Sequence, residues 1–257
     1  VEYSEILSNL FMNVVSSGSK GNSTIIWDDC DALVVDFGIS VKRFKQRFEE
    51  LNIGDIPLSV LITHEHSDHS SGLGAASRKM KAEIYLREKA KLKMGFDRAF
   101  TIGDELTIGN FFIRSVSVSH DAVDPVGYVI ENRGRKISIF SDLGYFPMDN
   151  VDLIKGSDIL AIEANHDTNM LKTGPYPESL KKRIMSNYGH LSNDQCALAL
   201  GELSEQKSQI ILLHLSDENN TQEIAYLTVR DFLDNRNIKY KGIECARQLY
   251  GSSIFEV

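Results

Sequence analysis

The chain has 257 residues, 42% hydrophobic and 25% charged, which excludes disorder and collagen-like repetition and points to an ordinary globular protein. Its 28 basic and 36 acidic side chains leave a net charge of −8. Binding of nucleic acid through an overall basic surface is thereby excluded, and any such contact has to be local.

Three scattered cysteines, Cys30, Cys196 and Cys245, form no C-x-x-C pair, so neither a disulfide framework nor a thiolate zinc site is expected. No apolar run approaches the ~18 residues a membrane helix needs. Residues 1–15 lack both a basic start and a small-residue cleavage site. The chain therefore reads as a cytoplasmic protein, away from membranes, whose thiols stay reduced.

In chain order, β-branched and alternating runs predict strands over Phe11–Val15, Thr24–Trp27, Ala32–Asp36, Leu58–Thr63, Ile84–Leu86, Glu105–Ile108, Phe111–Val118, Val126–Glu131 and Lys136–Ser141. Helical patterning falls on Val41–Leu51 and on a stretch after His69. The second half opens with strand Asp158–Glu163, followed by helices Pro177–Tyr188, Asn193–Ser204 and Thr221–Asn235, with strand Gln209–Leu213 between the last two. Ser192 or Asn193 can cap the middle helix, and Asp194 suits its positive end. This mixture predicts an α/β chain of two packed sheets with helices outside.

The densest chemistry is Thr63-His64-Glu65-His66-Ser67-Asp68-His69, directly after an apolar strand. At a strand end His64 and His66 would share a face, because side chains alternate with a period of two. Asp68 and His69 follow from the turn beyond, so one loop can serve two adjacent ions. A polar surface loop is the plain alternative, but three histidines in six positions argue against it. Four more polar residues follow predicted strands: Asp36, His120, Asp142 and His214. Singly each is an ordinary turn residue; jointly they mark one edge of a layered fold.

His64-x-His66-x-Asp68-His69, then His120, Asp142 and His214, resembles the ligand series of the metallo-β-lactamase-fold hydrolases, in the same order and across nearly the whole chain. The resemblance implies a four-layer αββα sandwich spanning residues 1–257 as one domain. It also implies two divalent ions, zinc or manganese with iron possible by donor type. His64, His66 and His120 would hold the first ion and Asp68, His69 and His214 the second, with Asp142 bridging. Asp36 would orient ligand histidines from behind.

Only 21 residues separate His120 from Asp142 and 71 separate Asp142 from His214. These gaps leave no room for the exosite arm of the tRNA-maturing phosphodiesterases or for a β-CASP insertion. The 43 residues after His214 are fewer than the helical domain of glyoxalase II takes. Segments such as Ser16–Ser23, Asp124–Tyr128, Glu163–Asp167 and Gly189–Asn193 are similar to the YycJ/WalJ-like subfamily, described as exonuclease-like on DNA with a link to cell-wall signalling in some bacteria.

Gly189-His190-Leu191-Ser192 resembles the Gly-His-Ser-Thr element of the tRNA-maturing enzymes, where the histidine meets the scissile phosphate and a glutamate, here Glu163, supports it. His190 is thus a candidate general acid, and Asp68 and Asp142 are candidate catalytic carboxylates. His166 and Asp167 either touch substrate or cap a helix. Lys172, Lys181, Lys182 and Arg183 form a basic cluster that would suit a phosphate backbone, or a solvated helix face. Tyr176 and Tyr188 would stack on bases or pack locally. The Gly18–Asn22 loop, with Asn22, would cradle a phosphate or simply turn the chain.

The expected activity is two-metal hydrolysis of a phosphodiester by a bridging hydroxide, on DNA in preference to RNA. The alternatives are a small-molecule hydrolase acting on a thioester, lactone or cyclic phosphodiester, and a metal-stabilised regulatory protein without catalysis. Fold alone does not choose among them.

Overall fold

The computed structural model describes residues 9–257; part of the 1–15 segment read above for a leader lies outside them. One sheet is built from Phe11–Ser16 (β1), Ser23–Trp27 (β2), Ala32–Val35 (β3), Leu58–Leu61 (β4), Glu83–Arg87 (β5), Phe100–Ile102 (β6) and Ile254–Glu256 (β14), in the order β14-β1-β2-β3-β4-β5-β6. The other contains Glu105–Ile108 (β7), Phe111–Ser117 (β8), Val126–Asn132 (β9), Arg135–Phe140 (β10), Ile159–Glu163 (β11), Gln209–Leu213 (β12) and Gly242–Cys245 (β13), in the order β13-β12-β11-β10-β9-β8-β7.

Helices Val41–Glu50 (α1), Ser67–Ser70 (α2), Leu73–Met80 (α3) and Glu88–Met94 (α4) belong to the first half of the chain. Val151–Ile154 (α5), Thr168–Thr173 (α6), Glu178–Ile184 (α7), Asn193–Leu203 (α8) and Gln222–Asn235 (α9) belong to the second.

Three apolar clusters define four layers. Between the sheets Met12, Leu33, Val35 and Leu61 meet Tyr128, Ile139, Ile159 and Ile211. On the outer face of the first sheet Ile25, Val34 and Val60 pack against Phe44, Leu73 and Ala90 of α1, α3 and α4. On the outer face of the second, Leu160, Ile162 and Leu212 pack against Leu200, Val229 and Leu233 of α8 and α9. Consecutive residues Leu33, Val34 and Val35 alternate between the two sides, as strand geometry requires. Both sheets are therefore apolar on both faces, and the expected αββα sandwich is what the chain forms.

Directionality places the site. β3, β4, β5 and β6 run parallel, as do β10, β11, β12 and β13. β8 and β10 are both antiparallel to β9, so they point the same way. Asp36, the His64–His69 loop, His120, Asp142, Glu163 and His214 all lie at or just past carboxyl ends of these strands. Tyr128 donates its hydroxyl to Ile62 O at 2.7 Å, and His214 N donates to Ser17 Oγ at 2.8 Å. These two bonds fix one sheet's edge against the other's.

Several expected boundaries move. The strands expected to reach Asp36, Thr63 and Ser141 end at Val35, Leu61 and Phe140. Asp36, Asp142 and His214 instead adopt left-handed backbone, with φ of 62°, 58° and 54°. Such conformations cost free energy in non-glycine residues and here turn the side chain inward from the strand end. The helix expected over Pro177–Tyr188 stops at Ile184, where His190 N takes the Ile184 carbonyl and folds the chain back. Ser192 is the cap of α8, in a reciprocal capping box with Gln195. Short edge strands β6, β13 and β14 and helices α4, α5 and α6 had no clear pattern in the sequence.

Candidate metal centre

Asp36 organises the floor. Its carboxylate accepts the Thr63 amide at 2.9 Å and the Thr63 hydroxyl at 2.9–3.0 Å, and its Oδ2 lies 2.7 Å from His69 Nδ1. The Thr63 hydroxyl also lies 3.0 Å from His64 Nδ1. The segment after Asp36 is stitched to the histidine loop: Phe37 N donates to His69 O at 2.8 Å, and Asn22 N donates to Asp68 O at 2.7 Å. A Cβ on Gly38 would sit 1.6 Å from that Asp68 carbonyl oxygen, so only glycine permits the approach.

Every ring but one is tied back through Nδ1. His120 Nδ1 faces Gly189 O at 3.2 Å, while His214 and His190 Nδ1 lie 3.0 and 2.7 Å from Glu163 Oε1. Glu163 Oε2 accepts the amides of Leu143 and Leu191 at 2.8 and 3.1 Å. His66 is the exception; its Nε2 lies 4.0 Å from Asp121 Oδ1. The Nε2 atoms are thereby left to point inward, the arrangement that metal-ligating histidines use.

Among the described residues the donors fall into four sets whose ligating atoms lie within 4.8 Å of one another: His64, His66 and His120; Asp68, His69 and His214; His64, His69 and Asp142 linking them; and Asp142, Glu163, His190 and His214. His64 Nε2, Asp142 Oδ2 and His214 Nε2 are buried with no hydrogen-bond partner among the described residues. Asp142 Oδ2 lies 3.0 Å from His69 Nε2 but off the line of a hydrogen bond. Buried polar atoms normally find partners. An orphaned carboxylate oxygen and two orphaned imidazole nitrogens in one cluster fit a divalent cation.

The histidine loop departs from the sequence expectation in one respect. β4 ends before Thr63, so His64 and His66 come together through the loop, their ring centroids 4.6 Å apart, and not through strand alternation.

Charge divides the cluster. Burial, then the charge of His69, holds the His64 pKa well below the usual imidazole range, and burial also lowers that of His120. Burial works against protonation of His69 too, but Asp36 and Asp142 overcome it and raise the pKa. His214 is lifted to about 10 by Asp142, Asp68 and Glu163, again against burial. In return His214 and His69 keep the buried Asp142 ionised, and His190 and His214 bring Glu163 down to about 2. Asp68 is lowered through its contacts with His214 and His69.

A cavity of 210 Å³ opens beside the cluster, lined among others by His120, His190, His214, Tyr176, Leu180 and Tyr188. Arg183 stands at its rim, paired with Asp121. The remaining expected contacts divide. Asn22 Nδ2 lies 3.0 Å from His69 Nε2, and Asn22 Oδ1 accepts the Gly18 amide at 2.8 Å, so the Gly18–Asn22 loop is a turn that braces the histidine loop.

The structure does not bring His166 or Lys172 to the cavity. His166 is 2% exposed, and burial pushes its pKa down to about 4 against the pull of Glu163. Asp167 caps α6 through Met170 N. Lys181 is consumed internally by Lys172 O at 2.8 Å and Glu178 at 3.0 Å. Of the basic cluster, Arg183 alone lines the cavity.

Sequence reasoning missed Thr63 as a shared brace and Glu65. The Glu65 carboxylate receives the Val123 amide at 3.0 Å and Lys93 Nζ at 2.6 Å, pinning the His120 loop to the histidine loop. Their position inside the histidine motif was the available signal.

An αββα sandwich with a His/Asp cluster at its strand ends defines the metallo-β-lactamase fold class, and residues 33–215 match the Beta-lactamase superfamily domain. The chain belongs to that family. It is 37% identical over 239 residues, 88% of this chain and 90% of the relative, to exodeoxyribonuclease YycJ of Bacillus anthracis. It is 36% identical over 230 residues, 84% and 86% of the two chains, to exodeoxyribonuclease WalJ of Streptococcus pneumoniae. Among solved structures it resembles the metallo-β-lactamase fold protein YhfI of Bacillus subtilis, with a TM-score of 0.71 at 15% identity, covering 97% of this chain and 100% of the other.

Proposed function

We propose that the chain is a metal-dependent exodeoxyribonuclease working in a reducing compartment. The observation that carries this reading is the cluster of inward-facing donors with His190 beside it, in a chain 37% identical over 88% of its length to a protein bearing that activity. Two divalent ions, zinc or manganese, would be held by His64, His66 and His120 and by Asp68, His69 and His214, with Asp142 shared. When bound they would polarise the phosphoryl group and acidify water so that a nucleophile is available at neutral pH.

The chain's own groups supply the proton handling. His190 keeps its Nδ1 proton on Glu163, and although burial opposes the charge, Glu163 and then Asp142 raise its pKa. A raised pKa favours the imidazolium, the form that donates from Nε2 to the departing oxygen. Asp68 is kept ionised, against burial, by His214 and His69, and would serve the second ion as a ligand. The Glu163 carboxylate orients both rings it touches and remains a base too weak to take their protons. The three free cysteines support a reducing environment, and among the described residues no helix is long and apolar enough to cross a membrane.

The test is elemental analysis of the purified chain, coupled to hydrolysis of end-labelled single- and double-stranded DNA and RNA with added Mn²⁺ or Zn²⁺. Two ions per chain and stepwise release of nucleotides from DNA are expected. Two ions without phosphodiester cleavage would overturn the reading and favour a small-molecule substrate.

A further inference from the structure

Part of the cavity's lining takes no part in proton transfer: a wall formed by Tyr176, Leu180, Ile184 and Tyr188. Tyr188 is 62% exposed, yet the turn that carries it is fixed on both sides. Gly189 N donates to Ser186 O at 3.0 Å, and His190 N donates to Ile184 O at 2.9 Å. The Ser119 hydroxyl holds Asn187 O. A Cβ on Gly144 would fall 1.8 Å from that same carbonyl oxygen, so the turn rests directly on the loop that follows Asp142. An aromatic ring presented on rigid backbone gives contact area at low entropic cost when it is covered.

Arg183 is the cavity's cation. It is 60% exposed at the side chain and held by Asp121, itself 3.4 Å from His120 Nε2. A guanidinium matches a phosphate through two parallel hydrogen bonds, so a phosphate competes with Asp121 for it. The cavity's 210 Å³ is below the roughly 300–1,000 Å³ of drug-sized sites and gives room for one base.

Building on the nuclease reading, we propose that this wall is the seat of a single unpaired terminal nucleotide. Its base stacks on Tyr188 against Tyr176 and Leu180, its phosphate takes Arg183 from Asp121, and the scissile linkage lies at His190. Stacking uses a face that all four bases share, so the seat accepts any of them. Such a seat takes one unstacked end nucleotide at a time.

The test uses the metal-loaded protein and single-stranded DNA ending, at the 5′ or 3′ terminus, in adenine or in an abasic deoxyribose. Calorimetric binding of deoxyadenosine monophosphate against 2-deoxyribose 5-phosphate is measured alongside. At the terminus attacked, loss of the base should lower kcat/KM by about 5- to 150-fold, the worth of one stacked base, and the two small ligands should differ in affinity by a similar factor. Tyr188→Ala should remove both differences at unchanged Tm, since the side chain is exposed, and Tyr188→Trp should keep them. Arg183→Ala should weaken both small ligands alike.

Equal rates with and without the base, or a full difference retained in Tyr188→Ala, would overturn the seat and leave the nuclease reading standing. No attack on DNA by the loaded protein would overturn both.

Discussion

Around His66 the donors are imidazoles with little carboxylate support; around His69 every ring leans on an acid. His64 and His120 are neutral rings, kept so by burial, with a threonine hydroxyl and a backbone carbonyl behind them. Asp36 and Asp142 raise the pKa of His69 against burial, and Asp142, Asp68 and Glu163 lift that of His214 to about 10. The first half is a set of donors ready for a cation. The second is a charged network in which protons hold the place that a cation would take. Asp142 belongs to both, which makes it the point where the two halves are coupled.

Removing that point is the largest expected effect. Asp142→Ala should bring DNA hydrolysis to background and lower metal content, measured by elemental analysis; retained activity with two ions would separate the halves from each other. His66→Ala strikes the neutral half alone and should also abolish hydrolysis while leaving the far-UV spectrum native, because the side chain is partly exposed and braces nothing. His190→Ala should lower kcat by about 10²–10⁴ with metal stoichiometry intact; loss of metal would instead make His190 a ligand. Asp36→Asn strikes the charged half from behind and should weaken metal binding or activity by about 10–100-fold, read by competition with a chelator.

The smallest and most informative effect is on the pH dependence of the metal-free protein. A histidine whose pKa is raised on folding stabilises fully below its unfolded value and loses that contribution as pH rises through the folded one. His214 moves from 6.5 to about 10, so the charged half should loosen as pH climbs through that window. His64, His120 and His166 are lowered; their contribution is present above 6.5 and lost on acidification. Thermal melts of metal-free protein should therefore show a maximum near neutrality. His214→Gln should flatten the alkaline side.

The ligands of both halves were legible in the sequence, and the bonds behind the charged half were less so. His64, His66 and His120 stand out because histidine is scarce and the loop is dense with it. Four-layer packing was legible in the apolar runs, since both faces of each sheet are covered. The charged half depends on what lies behind the ligands. Glu163 ends an apolar strand like any other, and only the folded chain shows its Oε1 between two rings and its Oε2 on two amides.

The basic cluster misled for a related reason. Of four cations close in sequence, α7 turns Lys181 inward onto Lys172 O and Glu178, while Arg183 lines the cavity. The strand-end residues misled in register, since left-handed turns at Asp36, Asp142 and His214 are set by tertiary bonds that no local pattern records.

The contrast between the halves is tested most directly by titrating metal-free protein with Zn²⁺ at pH 7.5 in buffers of different ionisation enthalpy, which counts the protons released with each ion. Two binding events are predicted, with more protons released in the one that takes His69 and His214 as ligands, because the pKa values of those two rings are raised. Equal release in both events, or a single event, would contradict the account.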